Sequence, residues 1–548
     1  MIAPFITGLA AIIWLVWIVR VALVAARMYQ IEEYEAPRFL AWGRQRAWLW
    51  SAATLLASGT TLILGLLTLA LPTDLRRTAI GVGWLVGAIL LHILWKSLPA
   101  KKALVYTPRM RRILGAGLAL TLLVTCGLAV FVFTIPVVVS AIIVVLSSLL
   151  APGLVLLLVL GGNLLMTPVE AQIRQGFVRR ARSRITTYKP FVIGIAGSYG
   201  KTSTKNITAQ LLGPQKQTLP TPKSFNTLMG ITRTINENLE PKHELFLVEM
   251  DAYNTGEIAK MCELVEPHVG VITSVGPQHL ERFGSIERIA DALYELVASL
   301  PTASPAVIYG GESMSALLAE RASRAGYRVV RYGLEGEQGK PFDVIASNIV
   351  VDEHASHFTW RWPAESLEFR VSIPLLGQHN ILNVSAALAV VHLLGLSVAQ
   401  AARDALRLEP AQHRLQLMPS KGGITVIDDS YNANPVGVHN GLDVLAQMRG
   451  HAKILVTPGM VELGSVEETE NKRFGEHAAQ VCNHVILVGA QQTKPIFAGL
   501  QENGFSSDSI HIVNTLEEVT ATLGQIAKPG DVVLFANDLP DTYLALKP

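Results

Sequence analysis

Residues 113–169 run for 57 positions without one Asp, Glu, Lys or Arg, and stretches 1–19, 47–73 and 78–95 are equally free of charge. A helix that crosses a bilayer needs roughly 20 apolar residues, whereas helices buried in a water-soluble domain keep a charged outer face. Five spans are therefore expected, at about 3–26, 48–71, 78–96, 113–134 and 137–165, the last two divided by a tight turn near Pro136. The whole chain has a mean hydropathy of +0.36 and only 16% charged residues, yet beyond Arg184 its composition is that of an ordinary globular protein. At 548 residues it exceeds what one core can serve. The expected order is an all-α transmembrane bundle over 1–185, a phosphate-loop (P-loop) α/β domain over 186–410, and a doubly wound, Rossmann-like α/β domain over 411–548.

Basic residues orient the spans. Arg27, Arg38, Arg44 and Arg46 lie in one loop, Lys101, Lys102, Arg109, Arg111 and Arg112 in another, and Arg174, Arg179, Arg180, Arg182, Arg184 and Lys189 follow the last span. The intervening 72–77 loop has only Arg76 and Arg77, offset by Asp74, and the Pro136 turn has none. Lys and Arg stay on the cytoplasmic side, which predicts a multi-pass protein of the inner (cytoplasmic) membrane with its N-terminus outside and the rest in the cytoplasm, where ATP is. Arg20 is read as reaching to the inner surface, and the first span lacks the basic start and small-x-small site of a cleaved signal peptide. A net charge of +3 is too small to argue for nucleic acid, and no nucleic-acid partner is expected. Cys126, Cys262 and Cys482 have neither metal-ligand nor disulfide spacing.

The soluble part turns on Phe191-Val-Ile-Gly-Ile-Ala-Gly197-Ser198-Tyr-Gly200-Lys201-Thr202-Ser203. An apolar strand runs into a Gly-rich turn and then a helix start, where free N–H groups face anions. Ile195 stands where the strict phosphate-loop pattern wants Gly, so only the short form Gly-x-x-Gly-Lys-Thr is present. Lys201 supplies a point charge for the β- and γ-phosphates of ATP, and Thr202 a hydroxyl for Mg²⁺. The next strand, Glu244–Met250, brings Glu249 to its end, where a Mg²⁺ carboxylate is expected. Strand 269–274 leads to Gln278 and His279, so Glu249 and His279 face one phosphate loop from successive strand ends.

Residues 342–374 alternate apolar and polar and read as a small antiparallel insert, with His354 and His357 as surface residues. Asn380 opens an Ala-rich helix and is either an adenine-reading amide or a helix cap. Strands at Ile424–Asp429, Lys453–Pro458, His484–Gly489 and Val532–Phe535 form the last domain, placing Arg414, Asp429 and Asn432 toward the nucleotide across an interdomain cleft.

Taken together these strings resemble the Mur ligase family, in its D-alanyl-D-alanine-adding (MurF-type) branch. The matching elements are Gly197-Ser-Tyr-Gly-Lys-Thr-Ser203, Asn226 with Gly230, Glu249, and Gln278-His-Leu-Glu-Arg-Phe-Gly284. They continue with Gly377-Gln-His-Asn380 plus Asn383, Arg414, Asp428-Asp-Ser-Tyr-Asn-Ala-Asn-Pro435 and Met460-Val-Glu-Leu-Gly464, so the resemblance spans about 190–535. It implies an ATP-dependent, ADP-forming ligase that makes an amide bond through an acyl phosphate. Gly197, Ser198, Gly200, Lys201, Thr202 and Ser203 would bind the phosphates, and Thr202, Glu249 and His279 would hold Mg²⁺, with Lys201, Glu249 and His279 carrying the chemistry. Asn380 and Asn383 would contact adenine, Asp429 the ribose and Arg414 the phosphates, leaving Asn226, Tyr431 and Asn432 for substrate. The implied partners are a nucleotide- or lipid-linked muropeptide precursor and an amino acid or dipeptide.

Three departures accompany it. Membrane spans stand where the family has a soluble domain for the substrate's uridine nucleotide. The family's carbamylated lysine, which steadies a second Mg²⁺, falls at Leu293; either Asp291 or Glu295 substitutes, or one metal suffices, or activity is reduced. The last strand ends in Ala536-Asn-Asp-Leu-Pro-Asp541 rather than a Lys-Gly-Ser-Arg-like turn. Other readings are a ligase for another polymer such as poly-γ-glutamate, a non-catalytic membrane scaffold, and an ATP-driven transporter, although no Leu-Ser-Gly-Gly-Gln-like signature is present.

Overall fold

The computed structural model describes residues 2–32, 34–45, 52–67, 70–95, 103–337, 341–352, 355–411, 413–431 and 433–538. The chain divides into two compact units, one ending at Arg174 and the other beginning at Gln175.

The first unit is helical: Ile2–Ile31, Ala36–Gln45, Ala52–Leu67, Thr73–Leu94, Pro108–Thr134 and the start of Val137–Tyr188. Among the described residues, four helices are long and apolar enough to cross a membrane, Ile2–Ile31, Leu75–Leu94, Pro108–Phe131 and Gly153–Tyr188. The span expected at 48–71 overlaps the 16-residue helix Ala52–Leu67, with 48–51, 68 and 69 outside the described residues. The Pro136 turn is present, but the helix after it runs 52 residues to Tyr188, well past the apolar stretch. Pro108 begins its helix at a position where no N–H is needed, capped by the Thr107 hydroxyl, which accepts from Met110 N at 3.1 Å. A Cβ on Gly162 would lie 2.5 Å from Ile113 O, so small residues let these two backbones touch. Trp14 and Trp84 pack in the core with ring centroids 6.2 Å apart. Arg20 bonds His92 Nε2 at 3.1 Å and lies over Trp95.

The second unit holds two sheets. The strands of the first are β1 (Phe191–Ala196), β2 (Thr218–Pro220), β3 (Leu245–Glu249), β4 (Val269–Ile272), β5 (Pro305–Tyr309), β6 (Arg328–Leu334), β7 (Val344–Val351), β8 (Ser356–Trp362) and β9 (Leu367–Ile373). Their order is β2-β3-β1-β4-β5-β6-β7-β8-β9, parallel as far as β7 and antiparallel beyond. Alternation along the central strands sends Ile193, Ile195 and Leu247 into one core and Val192, Phe246 and Val248 into the other. Helices cover both faces, which is why these strands read as unbroken apolar runs. The antiparallel insert expected over 342–374 is β7–β9, and it extends this sheet rather than standing apart. His357 is on its surface, bonded to Ser372 Oγ at 2.8 Å; His354 lies outside the described residues.

The second sheet comprises β10 (Gln416–Lys421), β11 (Ile424–Asp429), β12 (Lys453–Thr457), β13 (His484–Val488), β14 (Ile510–Val513) and β15 (Val532–Ala536), in the order β10-β11-β15-β12-β13-β14. Only β10 is antiparallel. The edge strands β10 and β14 are absent from the sequence-based expectation. Pro419 breaks the pattern of the first, a residue that edges tolerate, and the second has only four residues. The mixed α/β architecture with a helical N-terminal region is otherwise as expected.

Strand β1 is flanked by β3 and β4, so the loops after all three open on one crevice at the carboxyl edge of the sheet.

Candidate active site

The loop after β1 is shaped by two glycines. Gly197 has φ +146° and Gly200 φ +78°; a Cβ there would meet Thr273 Oγ1 at 2.1 Å and Asn383 Oδ1 at 2.8 Å. No other residue fits this backbone. The loop is pinned to the segment just after β4 by Ser198 N donating to Ser274 O and Tyr199 N to Ser274 Oγ, both at 2.9 Å. Lys201 starts the helix Lys201–Leu212, and its ammonium curls back over the loop. It donates to Gly197 O (2.6 Å), Ser198 O (3.2 Å) and Gln278 Oε1 (3.0 Å), and lies 3.3 Å from Asp251 Oδ1.

Glu249 closes β3 and is buried. Thr202 Oγ1 donates to its Oε1 at 2.9 Å, Asn226 Nδ2 to the same oxygen at 3.1 Å, and Lys205 Nζ to Oε2 at 3.0 Å. His279, at the end of the loop after β4, takes φ +55°. Its Nδ1 lies 3.0 Å from Glu462 Oε2, its Nε2 3.9 Å from Asp251 Oδ2, and its ring 4.5 Å from that of Tyr253. Glu462 comes from the loop after β12, so the His279 contact joins the two sheets of this unit.

Arg414, Tyr431 and Asn434 close the opposite side of a cavity of about 230 Å³ whose other walls are the phosphate loop, Asn226, Glu249, Asp251, Gln278 and His279. The Arg414 guanidinium lies over the Tyr431 ring at 4.7 Å. Behind it, burial and the neighbouring Arg414 push the His379 imidazole down to about 4, so it is neutral. Asp429 accepts from Leu415 N at 3.2 Å, and burial, against the opposing pull of Arg414, raises its carboxyl to about 7.

Ser198, Gly200, Lys201, Thr202, Ser203, Asn226, Glu249, His279, Arg414 and Tyr431 thus meet around one cavity. Gly197 shapes its floor. Asn380, Asn383 and Asp429 are outside its lining. Asn380 is not the acceptor of a helix cap: the cap position is Gly377, and Asn380 Nδ2 donates to Leu376 O at 2.9 Å. Asn383 accepts from Thr204 Oγ1 at 3.0 Å, bracing the phosphate-loop helix. Asn432 lies outside the described residues, as do 539–541 of the final turn. Asn537 in that turn donates to Gly459 O at 2.6 Å.

Lys205, Asp251, Gln278 and Glu462 are among the side chains at the site to which the sequence assigns no role. Lys205 had a local signal, since it sits one helical turn after Lys201 and so faces the same way. Asp251 and Gln278 adjoin assigned residues, whereas Glu462 is brought in only by packing of the second sheet. Leu293 belongs to the apolar core. Neither acidic neighbour replaces a charge there: Asp291 pairs with Arg321 at 2.6 Å on the surface, and Glu295 Oε2 accepts from Ala259 N at 2.9 Å, capping the helix Glu257–Val265.

No group of three or more His, Cys, Asp or Glu among the described residues has the spacing to hold a metal ion unaided. The hydroxyl of Thr202 and the carboxylates of Glu249 and Asp251 are hard oxygen donors, which suit a Mg²⁺ ion that takes its remaining ligands from phosphates and water.

A family model described as the Mur ligase middle domain matches residues 195–391, and one described as Mur ligase, glutamate ligase domain, matches 413–537. The UDP-N-acetylmuramoyl-tripeptide–D-alanyl-D-alanine ligase of Bacillus subtilis (strain 168) is 29% identical over 345 residues, 63% of this chain and 72% of the relative. The ligase of that name from Mycobacterium tuberculosis (strain ATCC 25618 / H37Rv) is 31% identical over 364 residues, 63% of this chain and 69% of the relative. Among solved structures, MurF from Acinetobacter baumannii superimposes with a TM-score of 0.60 at 26% identity, covering 68% of this chain and 78% of that one. MurF ligase from Thermotoga maritima, in complex with ADP, gives 0.59 at 26% identity, covering 67% and 80%.

Proposed function

The chain belongs to the Mur ligase family, and we propose that it is a membrane-anchored, ATP-dependent ligase that adds D-alanyl-D-alanine, or a similar amino acid or dipeptide, to a muropeptide precursor of peptidoglycan. The observation that carries this reading is the cavity itself, where Lys201, Thr202, Glu249 and His279 from one sheet face Arg414 and Tyr431 from the other.

The substrate carboxylate attacks the γ-phosphorus of ATP, ADP leaves, and an acyl phosphate forms. The amine then attacks the acyl carbon, phosphate leaves, the nitrogen gives up a proton, and an amide bond remains. No covalent bond to the protein is involved, so its contribution is positioning and electrostatic. Lys201 moves from the loop carbonyls to the phosphates. Arg414 brings positive charge from the other wall to the same phosphates. Glu462 holds the His279 ring in place through Nδ1. Thr202, Glu249 and His279 would hold Mg²⁺, which when bound neutralises phosphate charge. Asn226 and Tyr431, which line the cavity, would contact substrate; Asn380 and Asn383 would contact adenine and Asp429 the ribose, although these three stand outside the lining.

The Lys/Arg distribution supports an inner-membrane protein with an external N-terminus and a cytoplasmic ligase part. Such an anchor would hold the enzyme beside a lipid-linked acceptor and raise its effective concentration; a UDP-linked acceptor is the other form. The test is to incubate the purified full chain with ATP, Mg²⁺ and panels of UDP- and lipid-linked muropeptides and dipeptides, then weigh the products. A product heavier by one dipeptide minus water, with one ADP per bond, is the expected result. ATP consumption with no muropeptide product would overturn the substrate assignment.

A further inference from the structure

Asp251 has no role in the mechanism above, although it lies inside the cavity. We infer that Asp251 is a direct ligand of the divalent ion that His279 faces, and that it leaves Lys201 to take up that ion when the nucleotide arrives. The inference rests on the proposed ATP site and adds a ligand to it.

The donors in the cavity fall into two pairs. Thr202 Oγ1 and Glu249 Oε1 are 2.9 Å apart. Asp251 Oδ2 and His279 Nε2 are 3.9 Å apart. With metal–ligand distances of roughly 2.1 Å, two ligands of one octahedral Mg²⁺ stand about 3.0 Å apart when adjacent and about 4.2 Å when opposite. The first pair matches adjacent ligands and the second, at 3.9 Å, comes near to opposite ones, and Asn226 Nδ2 reaches a carboxylate of each pair, at 3.1 Å from Glu249 and 3.5 Å from Asp251. The cavity therefore holds two pairs of donors, joined by the Asn226 amide.

The two carboxylates differ in how they are held. Glu249 receives three donors within 3.1 Å, one of them the buried Lys205 ammonium. Asp251 has its own following amide, Ala252 N at 3.1 Å, and otherwise looser contacts, with Lys201 at 3.3 Å and His279 at 3.9 Å. A carboxylate so placed occupies the ammonium that phosphates require, and repels them. It becomes productive only when a cation stands between it and the phosphates. Behind Asp251 the wall is apolar, made by Phe283 and by Ile289, Ala292 and Leu293 of the helix Ile286–Ala298, whose acidic residues Asp291 and Glu295 are turned elsewhere. Asp251 is thus the carboxylate that faces Nε2 of His279.

The test uses the full chain in detergent, Mn²⁺ as the paramagnetic probe, and a non-hydrolysable ATP analogue. Bound Mn²⁺ is counted by electron paramagnetic resonance, and analogue affinity is measured with and without metal. The parent is expected to retain two Mn²⁺ with the analogue. Asp251→Asn should lose one, and should bind the metal-free analogue more tightly because Lys201 is released. Asp251→Glu should keep the second ion in part. Analogue binding by Asp251→Asn also reports that the fold is intact. An Asn variant with the parent's Mn²⁺ count and affinity overturns the inference and leaves the ATP site standing, as does a parent that retains a single ion unaffected by the substitution. A parent that binds no analogue overturns both.

Discussion

Replacing Lys205 by methionine isolates a fully buried charge pair in the molecule's catalytic half. Lys205 Nζ lies 3.0 Å from Glu249 Oε2, with side-chain exposures of 0% and 1%. At an effective dielectric constant near 20 the attraction at that distance is about 5.5 kcal/mol, most of which offsets the cost of taking both groups out of water. Removing one partner from such a pair costs about 3–5 kcal/mol because the other charge is left buried. Glu249 keeps Thr202 and Asn226 as donors, so a loss of about 3 kcal/mol is expected for Lys205→Met. The assay is urea unfolding of the full chain, read by amide hydrogen exchange within the helix Lys201–Leu212. Lys205→Met combined with Glu249→Gln should be less destabilised than the sum of the two single changes. Mg²⁺ should recover part of the Lys205→Met loss by standing beside the orphaned carboxylate. A Lys205→Met protein within 1 kcal/mol of the parent (roughly the lower limit for losing such a group), or strict additivity in the double variant, would refute the view that this lysine serves as counter-ion to Glu249.

Three further outcomes are expected. Lys201→Ala should abolish most ADP formation, with kcat down about 10²–10³-fold, the range for removing one charge-stabilising donor; amine-dependent ADP release at the parent's rate would contradict its role. Gly200→Ala places a Cβ 2.8 Å from Asn383 Oδ1 at φ +78°, so it should cost about 1–2 kcal/mol and weaken nucleotide binding in an equilibrium titration, and unchanged affinity would speak against the loop geometry. Asp429 has its folded pKa raised to about 7 from an ordinary 3.8. The folded state therefore binds the extra proton, and the stability it contributes is complete below pH 4 and lost as pH rises to 7. Asp429→Asn should remove that slope, so melting temperatures of parent and variant should diverge between pH 4 and 7 in favour of the variant, and parallel profiles would rule the titration out.

The long apolar helices of the N-terminal region were legible because 57 uncharged residues carry their meaning locally. The phosphate loop was legible for a similar reason: its glycines, Lys201 and Thr202 are neighbours in the chain, and turn and helix start are set by adjacent dihedral angles. Glu249 and His279 could be placed because strand ends of a parallel sheet converge on one edge. Tertiary structure alone decided the rest. That Asn383 braces the phosphate-loop helix, that Asp291 and Glu295 turn away from the cavity, and that Glu462 reaches His279 all depend on how helices and a second sheet pack across it. Chain spacing has no bearing on such contacts, because 183 residues separate Glu462 from His279, and only the three-dimensional packing of their elements brings the two together.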